Sequence, residues 1–492
     1  MPNLLHDALF AGLSGRNGPL LHLEDGSQIT GAAFHHLLTR TARALSAAGV
    51  AKGDRVAVQI AKSPAALAVY GAAVALGAVF VPLNPAYTAA ELDYFLGNAT
   101  PRLFLCDPAR APALAPLAAR HGAVLRTVDG AGQGSLAETM TDGPLSPAAC
   151  GPADLAAILY TSGTTGRSKG AMLSHGNLLS NASVLADLWR FTRRDVLLHA
   201  LPIFHTHGLF VACNVALLTG GQMIFLPGFD LDRVLHHLPR ATTMMGVPTF
   251  YTRLLSDPRL TRDLTAHMRL FVSGSAPLLA DTHHDFAAHT GHRILERYGM
   301  TETNMNTSNP YDGDRRPGTV GLALPGTEVR IMAPPGEVGG IEVRGPNVFQ
   351  GYWQMPDKTA EDLRPDGWFI TGDLGQMDGG GYLTIVGRAK DLIITGGYNV
   401  YPKEVELALD AVPGVVESAV VGLPHPDLGE AVFAVLVGDV TPEAVLAAIA
   451  GDLARFKQPR AMVVVPDLPR NAMGKVQKNL LRQAYDAWFK PS

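Results

Sequence analysis

The residues best suited to chemistry lie together at Tyr160–Gly170, which reads YTSGTTGRSKG directly after the apolar run LAAILY. Five Ser/Thr hydroxyls, three glycines and a lysine share these eleven residues. Glycines let backbone N–H groups approach an anion closely, hydroxyls donate further hydrogen bonds, and Lys169 supplies positive charge. The composition suits a phosphate group. It is not the GxxxxGK[ST] pattern, so P-loop NTPase chemistry is not implied. A generic Ser/Gly/Thr loop is most often a surface turn, but a strand feeding this particular string favours the phosphate reading.

Further segments follow in order: SGSAP at Ser273–Pro277, YGMTE at Tyr298–Glu302, TGDLG at Thr371–Gly375, GRAKD at Gly387–Asp391, and PRNAMGK carrying Lys475. Together with the phosphate loop they resemble the motifs of the adenylate-forming superfamily: acyl-CoA synthetases, luciferases and carrier-loading adenylation domains. The matches span nearly the whole chain. The resemblance implies an ATP-dependent acid–CoA ligase that makes an acyl-adenylate and passes the acyl group to a thiol, using ATP, Mg²⁺ and CoA. It also implies an active site between a large N-terminal domain and a small, mobile C-terminal one.

By that resemblance the nucleotide meets Thr161, Ser162, Gly163, Thr164, Thr165 and Lys169, then Gly274, Ser275, Ala276, Glu296, Tyr298, Gly299, Thr301, Asp373 and Arg388. Tyr298 offers its face to the adenine, and the chain around Gly274–Ala276 approaches the nucleotide too closely for large side chains. Thr301 bonds the α-phosphate and Glu302 holds Mg²⁺. Asp373 suits the two ribose hydroxyls, because an ionised carboxylate accepts from both, and Arg388 joins it there. Adenylation brings two anions together, so positive charge must sit where they meet. Lys475 is expected to bridge the carboxylate and the α-phosphate, completing a catalytic set with Thr301 and Glu302. A lysine near a terminus is ordinarily just solvated; the preceding motifs are what lift this one above that reading.

The second half-reaction needs the site rearranged, and the resemblance implies a hinge at Lys390. Gly396 and Gly397 are expected to let the CoA arm pass close to backbone; an ordinary turn before the following helix is the competing reading. Between Arg455 and Arg482 stand seven Lys/Arg and one acid, Asp467, a patch suited to CoA phosphates or simply a solvated face. No carrier or condensation segment follows Lys475, which favours CoA over a carrier protein as acceptor.

In this superfamily the acid pocket is lined by the segments corresponding to LPIFHTHGLF, SGSAPLL and LERYGMTET. A pocket for fatty or aromatic acids should be apolar, yet Arg297 precedes Tyr298. A buried guanidinium is costly unless an anion meets it, and its fork fits a second carboxylate. LERYGMTETNMNTSNPYDGDRRPG is similar to malonyl-CoA synthetases, which implies that Arg297 takes the distal carboxylate of malonate. Ser273 and His207 would line the pocket, with Thr206 and Met300 crowding the α-carbon. The competing reading is an internal salt bridge of Arg297 with Glu296 or another buried acid. Other short acids (oxalate, methylmalonate, acetate) and a carrier-loading enzyme are the alternative functions.

Strand-like and helix-like segments alternate over most of the chain, which predicts an α/β fold: parallel sheets covered by helices. Short strands with frequent Gly and Pro after Val320 predict a small β-rich subdomain, and an α+β pattern follows. We therefore expect an N-terminal domain over 1–387 and a mobile C-terminal domain over 388–492. Ala65–Leu83 has the length of a membrane span, but its Ala/Gly composition, broken at Gly77, predicts a buried helix and strand. Pro108–Ala118 reads as an Ala/Pro-rich loop. A net charge of −4 gives no basic field for nucleic acid. Three scattered cysteines and no signal-like start suit a reduced, cytoplasmic compartment; the resemblance implies an enzyme of fatty acid metabolism, and we expect a monomer or weak oligomer. Acylation of Lys475 by a lysine acyltransferase would remove the charge that the first step uses.

Overall fold

Ala65–Leu83 folds as its composition dictates. Ser63 caps helix Pro64–Leu76 by accepting from the Ala66 N–H, Pro64 opens it, and Gly77 ends it in the left-handed region at φ 65°. Strand Val79–Pro82 follows, buried throughout. No helix of the described residues is long and apolar enough to cross a membrane.

The computed structural model describes residues 2–161, 168–471 and 474–489. The chain divides into two units, Met1–Val329 with Val343–Phe369 and Arg330–Glu342 with Ile370–Ser492. The first unit holds a nine-stranded and a six-stranded sheet. In the larger sheet Leu295–Met300, Leu270–Ser273, Thr243–Gly246, Val196–His199, Gln222–Phe225 and Pro19–His22 lie side by side and parallel. Antiparallel strands Asn304–Ser308 and Gln28–Thr30 flank them. In the smaller sheet Val124–Thr127, Leu103–Cys106, Arg55–Gln59, Val79–Pro82 and Leu155–Thr161 are parallel, and Lys169–Ser174 closes it antiparallel. The βα alternation thus becomes the expected parallel layers. Capping boxes start two of the covering helices, Thr88 with Glu91 before Ala89–Ala99 and Ser174 with Asn177 before His175–Leu188.

The second unit contains most of a four-stranded sheet, Glu328–Met332, Gly339–Arg344, Phe369–Met377 and Leu383–Arg388. It also contains an α+β body: helices Pro402–Asp410 and Pro442–Ile449 on a sheet whose longest strands are Val415–His425 and Gly429–Gly438. Its apolar core includes Ile393, Val405, Leu409, Val420 and Leu436.

One segment departs from expectation. The presumed loop Pro108–Ala118 is a short 3₁₀ turn, Pro108–Arg110, running into helix Ala111–Arg120. Pro112 stands in the first turn, where its missing N–H costs nothing, whereas Pro116 lies inside the helix. Burial of Leu114, Leu117 and Ala118 offsets the bond lost at Pro116. Cys106, Cys150 and Cys213 are buried free thiols.

Candidate active site

In an open parallel sheet, side chains gather at the carboxyl ends of the strands, and loops leaving those ends carry function. Strand Leu270–Ser273 ends at buried Ser273 and runs into Gly274, Ser275 and Ala276. Ser275 adopts φ 73°, a strained conformation for a residue with a side chain. Its Oγ lies 3.2 Å from Nδ1 of His207. Strand Leu295–Met300 pairs in parallel with Leu270–Ser273 and carries Glu296, Arg297, Tyr298 and Gly299. The first unit thereby brings together the predicted residues of two separate motifs and of LPIFHTHGLF.

Arg297 is buried, at 3% exposure. Neither its Nε nor its Nη2 has a hydrogen-bond partner among the described residues, and no carboxylate pairs with it there. Burial pushes the guanidinium down to about 9, Tyr251 opposing. A Cβ on Gly274 would lie 2.4 Å from Cζ of Arg297, so the glycine makes room for the guanidinium. Glu296, its neighbour in sequence, points into a different setting: its Oε1 accepts from the Leu278 N–H at 3.4 Å. Burial raises the Glu296 carboxyl to about 8, against the Leu278 and Gly318 amides. The internal salt bridge between these two residues is absent.

Around Arg297 further buried polar atoms lack partners among the described residues: Nε2 of His207, Oγ1 of Thr206 and Oγ of Ser273. Buried polar groups are ordinarily satisfied. Several unsatisfied ones on neighbouring motif residues mark a place built for a polar ligand. Burial, then the Arg297 charge, holds His207 well below the usual imidazole range, so its ring is neutral. Thr206 and His207 open the π-helical turn His207–Cys213, a rare geometry that concentrates at functional sites.

A second constellation joins Lys169, at the end of YTSGTTGRSKG, to YGMTE. Lys169 begins strand Lys169–Ser174, opposite Thr161. Its Nζ lies 3.1 Å from the Tyr352 hydroxyl, 3.3 Å from Oδ2 of Asp362 and 4.2 Å from the centre of the Tyr352 ring. The Tyr352 hydroxyl in turn donates to Oε1 of Glu302 at 3.1 Å. Glu302 is buried. Sequence reasoning passed over Tyr352 and Asp362, whose only local signal is the aromatic pair in GYW. Ser162, Gly163, Thr164 and Thr165 lie outside the described residues. Tyr298 is buried and its hydroxyl approaches Sδ of Met300 at 3.9 Å. Thr301 is partly exposed in the turn after the strand.

In the second unit Asp373 and Arg388 face one another across antiparallel strands, Nε to Oδ1 at 2.6 Å. Asp373 is buried. Lys390 sits in the 3₁₀ turn Ala389–Asp391. Gly396 and Gly397, at φ 58° and 84°, form the two-residue connection between Ile393–Thr395 and Tyr398–Val400. Two successive positive φ values define a type I′ hairpin, which by itself demands glycine. Lys475 is exposed; its N–H donates to Oδ1 of Asn471 at 3.0 Å and its carbonyl accepts from the Asn471 N–H at 2.9 Å.

Parallel αβ layers, a Ser/Thr/Gly loop ending in lysine, and unpaired buried donors at strand ends define an enzyme that handles phosphate and acid together. The chain belongs to the AMP-binding enzyme family, whose model matches residues 15–353, with the family's C-terminal domain matching 404–475. It is an AMP-forming acid–CoA ligase that takes ATP, CoA and a carboxylic acid as substrates. Crystalline ATP-bound MatB from Rhodopseudomonas palustris is 55% identical, with a TM-score of 0.97 and both chains fully covered. A feruloyl-CoA synthase from Amycolatopsis sp is 37% identical over 94% of each chain. A malonate–CoA ligase from Arabidopsis thaliana is 34% identical over 83% of this chain and 74% of its own.

Proposed function

We propose that the acid is malonate and the product malonyl-CoA, formed through a malonyl-adenylate with release of pyrophosphate and then AMP. The observation that carries this reading is Arg297, a buried guanidinium with two free donor nitrogens and no carboxylate partner among the described residues. A ligand carboxylate satisfies both nitrogens in the bidentate geometry that arginine favours. An aromatic acid such as ferulate would leave the charge unpaired. The malonate–CoA ligase and MatB relatives support the same choice.

Malonate then has one carboxylate on Arg297 and the other free to attack the α-phosphate of ATP. Ser273, Thr206 and neutral His207 contribute hydrogen bonds, and Met300 limits substitution at the α-carbon. Tyr298 and the segments at Gly274–Ala276 and Glu296–Gly299 serve the adenine, Asp373 and Arg388 the ribose, and Thr301 and Lys169 the phosphates. Among the described residues no three His, Cys, Asp or Glu converge on a metal position. Magnesium needs no such cluster, since one carboxylate and substrate phosphates suffice, and Glu302 supplies that carboxylate. The ion would neutralise phosphate charge, and Tyr352 helps to hold Glu302 through its hydroxyl.

Lys475 stabilises the charge that develops between carboxylate and α-phosphate in the first step. A rotation at Lys390, between working domains 1–387 and 388–492, readies the second, in which the CoA thiol attacks and Gly396–Gly397 border its arm. Cytoplasmic location and acylation control at Lys475 belong to the same reading. Mass spectrometry of the protein from cells tests the latter, and a consistently unmodified Lys475 would refute it.

The decisive test is acid-dependent ATP–pyrophosphate exchange across mono- and dicarboxylates. Malonate should outperform acetate, butyrate, ferulate and long-chain acids, with methylmalonate weaker. A better signal from any monocarboxylate overturns the assignment.

A further inference from the structure

Lys62 stands between strand Arg55–Gln59 and helix Pro64–Leu76. It borders a cavity of about 210 Å³ whose walls include Ile60, Phe80, Pro202, Ile203 and Phe204. Its Nζ lies 2.8 Å from Nδ1 of His199, 2.8 Å from the His199 carbonyl oxygen, and 4.4 Å from the centre of the Phe225 ring. Nothing in the adenylation chemistry described above uses this lysine.

The other side of His199 explains it. Nε2 of His199 lies 2.8 Å from the Gly208 carbonyl oxygen, with the Cys213 thiol 3.3 Å away. A carbonyl only accepts, so Nε2 must carry the ring hydrogen. Burial, then the nearby Lys62, holds the His199 ring well below the usual imidazole range and therefore neutral. In a neutral ring with hydrogen on Nε2, Nδ1 is an acceptor, and Lys62 is the donor that meets it. Lys62 thus fixes the tautomer, and the tautomer fixes the Gly208 carbonyl.

Gly208 follows His207 in the π-helical turn His207–Cys213. A Cβ on Gly208 would lie 2.0 Å from the Pro202 carbonyl oxygen. The turn that presents Thr206 and His207 is therefore wedged against Pro202 on one face and held by His199 on another. Released from His199, the Gly208 carbonyl would lose a buried bond and His207 its fixed direction.

We propose that Lys62 is a positioning residue for the acid pocket, acting through His199 and the Gly208 carbonyl to orient His207 and Thr206. The proposal rests on the reading of those two residues as acid-binding. It is tested on the full chain by ATP–pyrophosphate exchange with whichever acid the wild-type enzyme activates best. Lys62→Met keeps the length of the stem and removes the donor. It should raise KM for the acid about tenfold, the effect of losing about one hydrogen bond to the acid, while KM for ATP stays near wild type. Lys62→Arg, which restores a donor, should recover most of the affinity. His199→Phe should reproduce the defect, and the Lys62→Met/His199→Phe pair should be no worse than His199→Phe alone.

Additive defects, or a KM for ATP that rises in step with KM for the acid, would overturn the proposal. If His199→Phe fails to fold, the Met and Arg variants at position 62 still decide: equal affinity in the two refutes the role. Should Thr206 and His207 variants leave KM for the acid unchanged, the acid-site reading itself fails, whatever Lys62 does.

Discussion

The guanidinium of Arg297 fills the space that a side chain at Gly274 would take, a Cβ there lying 2.4 Å from Cζ. Gly274 follows strand Leu270–Ser273, which pairs in parallel with the strand Leu295–Met300 that carries Arg297, so the glycine in SGSAP serves the arginine in LERYGM. Gly274→Ala must displace either the guanidinium or the strand end. If Arg297 binds the acid, KM for the acid rises about tenfold or more, the cost of disturbing one charged hydrogen bond. KM for ATP changes less. Steady-state exchange kinetics separate the two, and a defect confined to ATP would instead mean that the glycine serves the nucleotide.

Arg297 also predicts a pH profile. Burial lowers its pKa to about 9. The charge is complete well below that value and is lost as pH rises through it, while substrate carboxylates are ionised throughout. KM for malonate should be flat near neutrality and climb above about pH 9, approaching a tenfold rise per pH unit. Arg297→Ala should have a uniformly high KM without the climb, measured over the range in which circular dichroism reports an intact fold.

Much of this arrangement was legible in the sequence because short motifs carry their own chemistry. The association of Asp373 with Arg388 comes from the family resemblance, whereas the strand feeding YTSGTTGRSKG and the helix-then-strand character of Ala65–Leu83 follow from local composition and spacing. Contacts between residues distant in sequence did not. Tyr352 joins Lys169 to Glu302 across the fold, and no local pattern announces that. That no carboxylate among the described residues pairs with Arg297 is likewise a three-dimensional fact: Glu296 is adjacent in sequence, yet successive residues of a strand face opposite sides. Pro108–Ala118 misled because proline content outweighed the apolar spacing of Leu114, Leu117 and Ala118, whose burial holds that helix.

The Tyr352 hydroxyl stands between Lys169 Nζ at 3.1 Å and Glu302 Oε1 at 3.1 Å. Burial, followed by the Glu302 and Asp362 charges, raises the phenol above its usual range, so it stays protonated and donates to Glu302. Tyr352→Phe keeps the ring under the lysine and removes that donor. Without that donor the Glu302 carboxylate should bind magnesium in altered geometry. We expect the magnesium concentration for half-maximal exchange to shift several-fold, within about 1 kcal/mol, with KM for the acid unchanged. Titration of exchange against magnesium reads this directly, and an unchanged midpoint would remove Tyr352 from the site.

Lys475 offers the cleanest separation of the two half-reactions. Its backbone N–H and carbonyl both bond Asn471, and those bonds do not involve its side chain. An ammonium positioned on developing charge contributes about 10²–10³-fold to a rate when its donors are aimed at the transition state. Lys475→Ala should lose that factor or more in malonate-dependent exchange. Thiolysis of supplied malonyl-adenylate by CoA creates no new carboxylate–phosphate contact and should proceed at close to the wild-type rate. Rapid-quench measurement of each half-reaction separately checks both statements. Equal losses in the two would mean that the lysine supports the domain's structure and not the first chemical step.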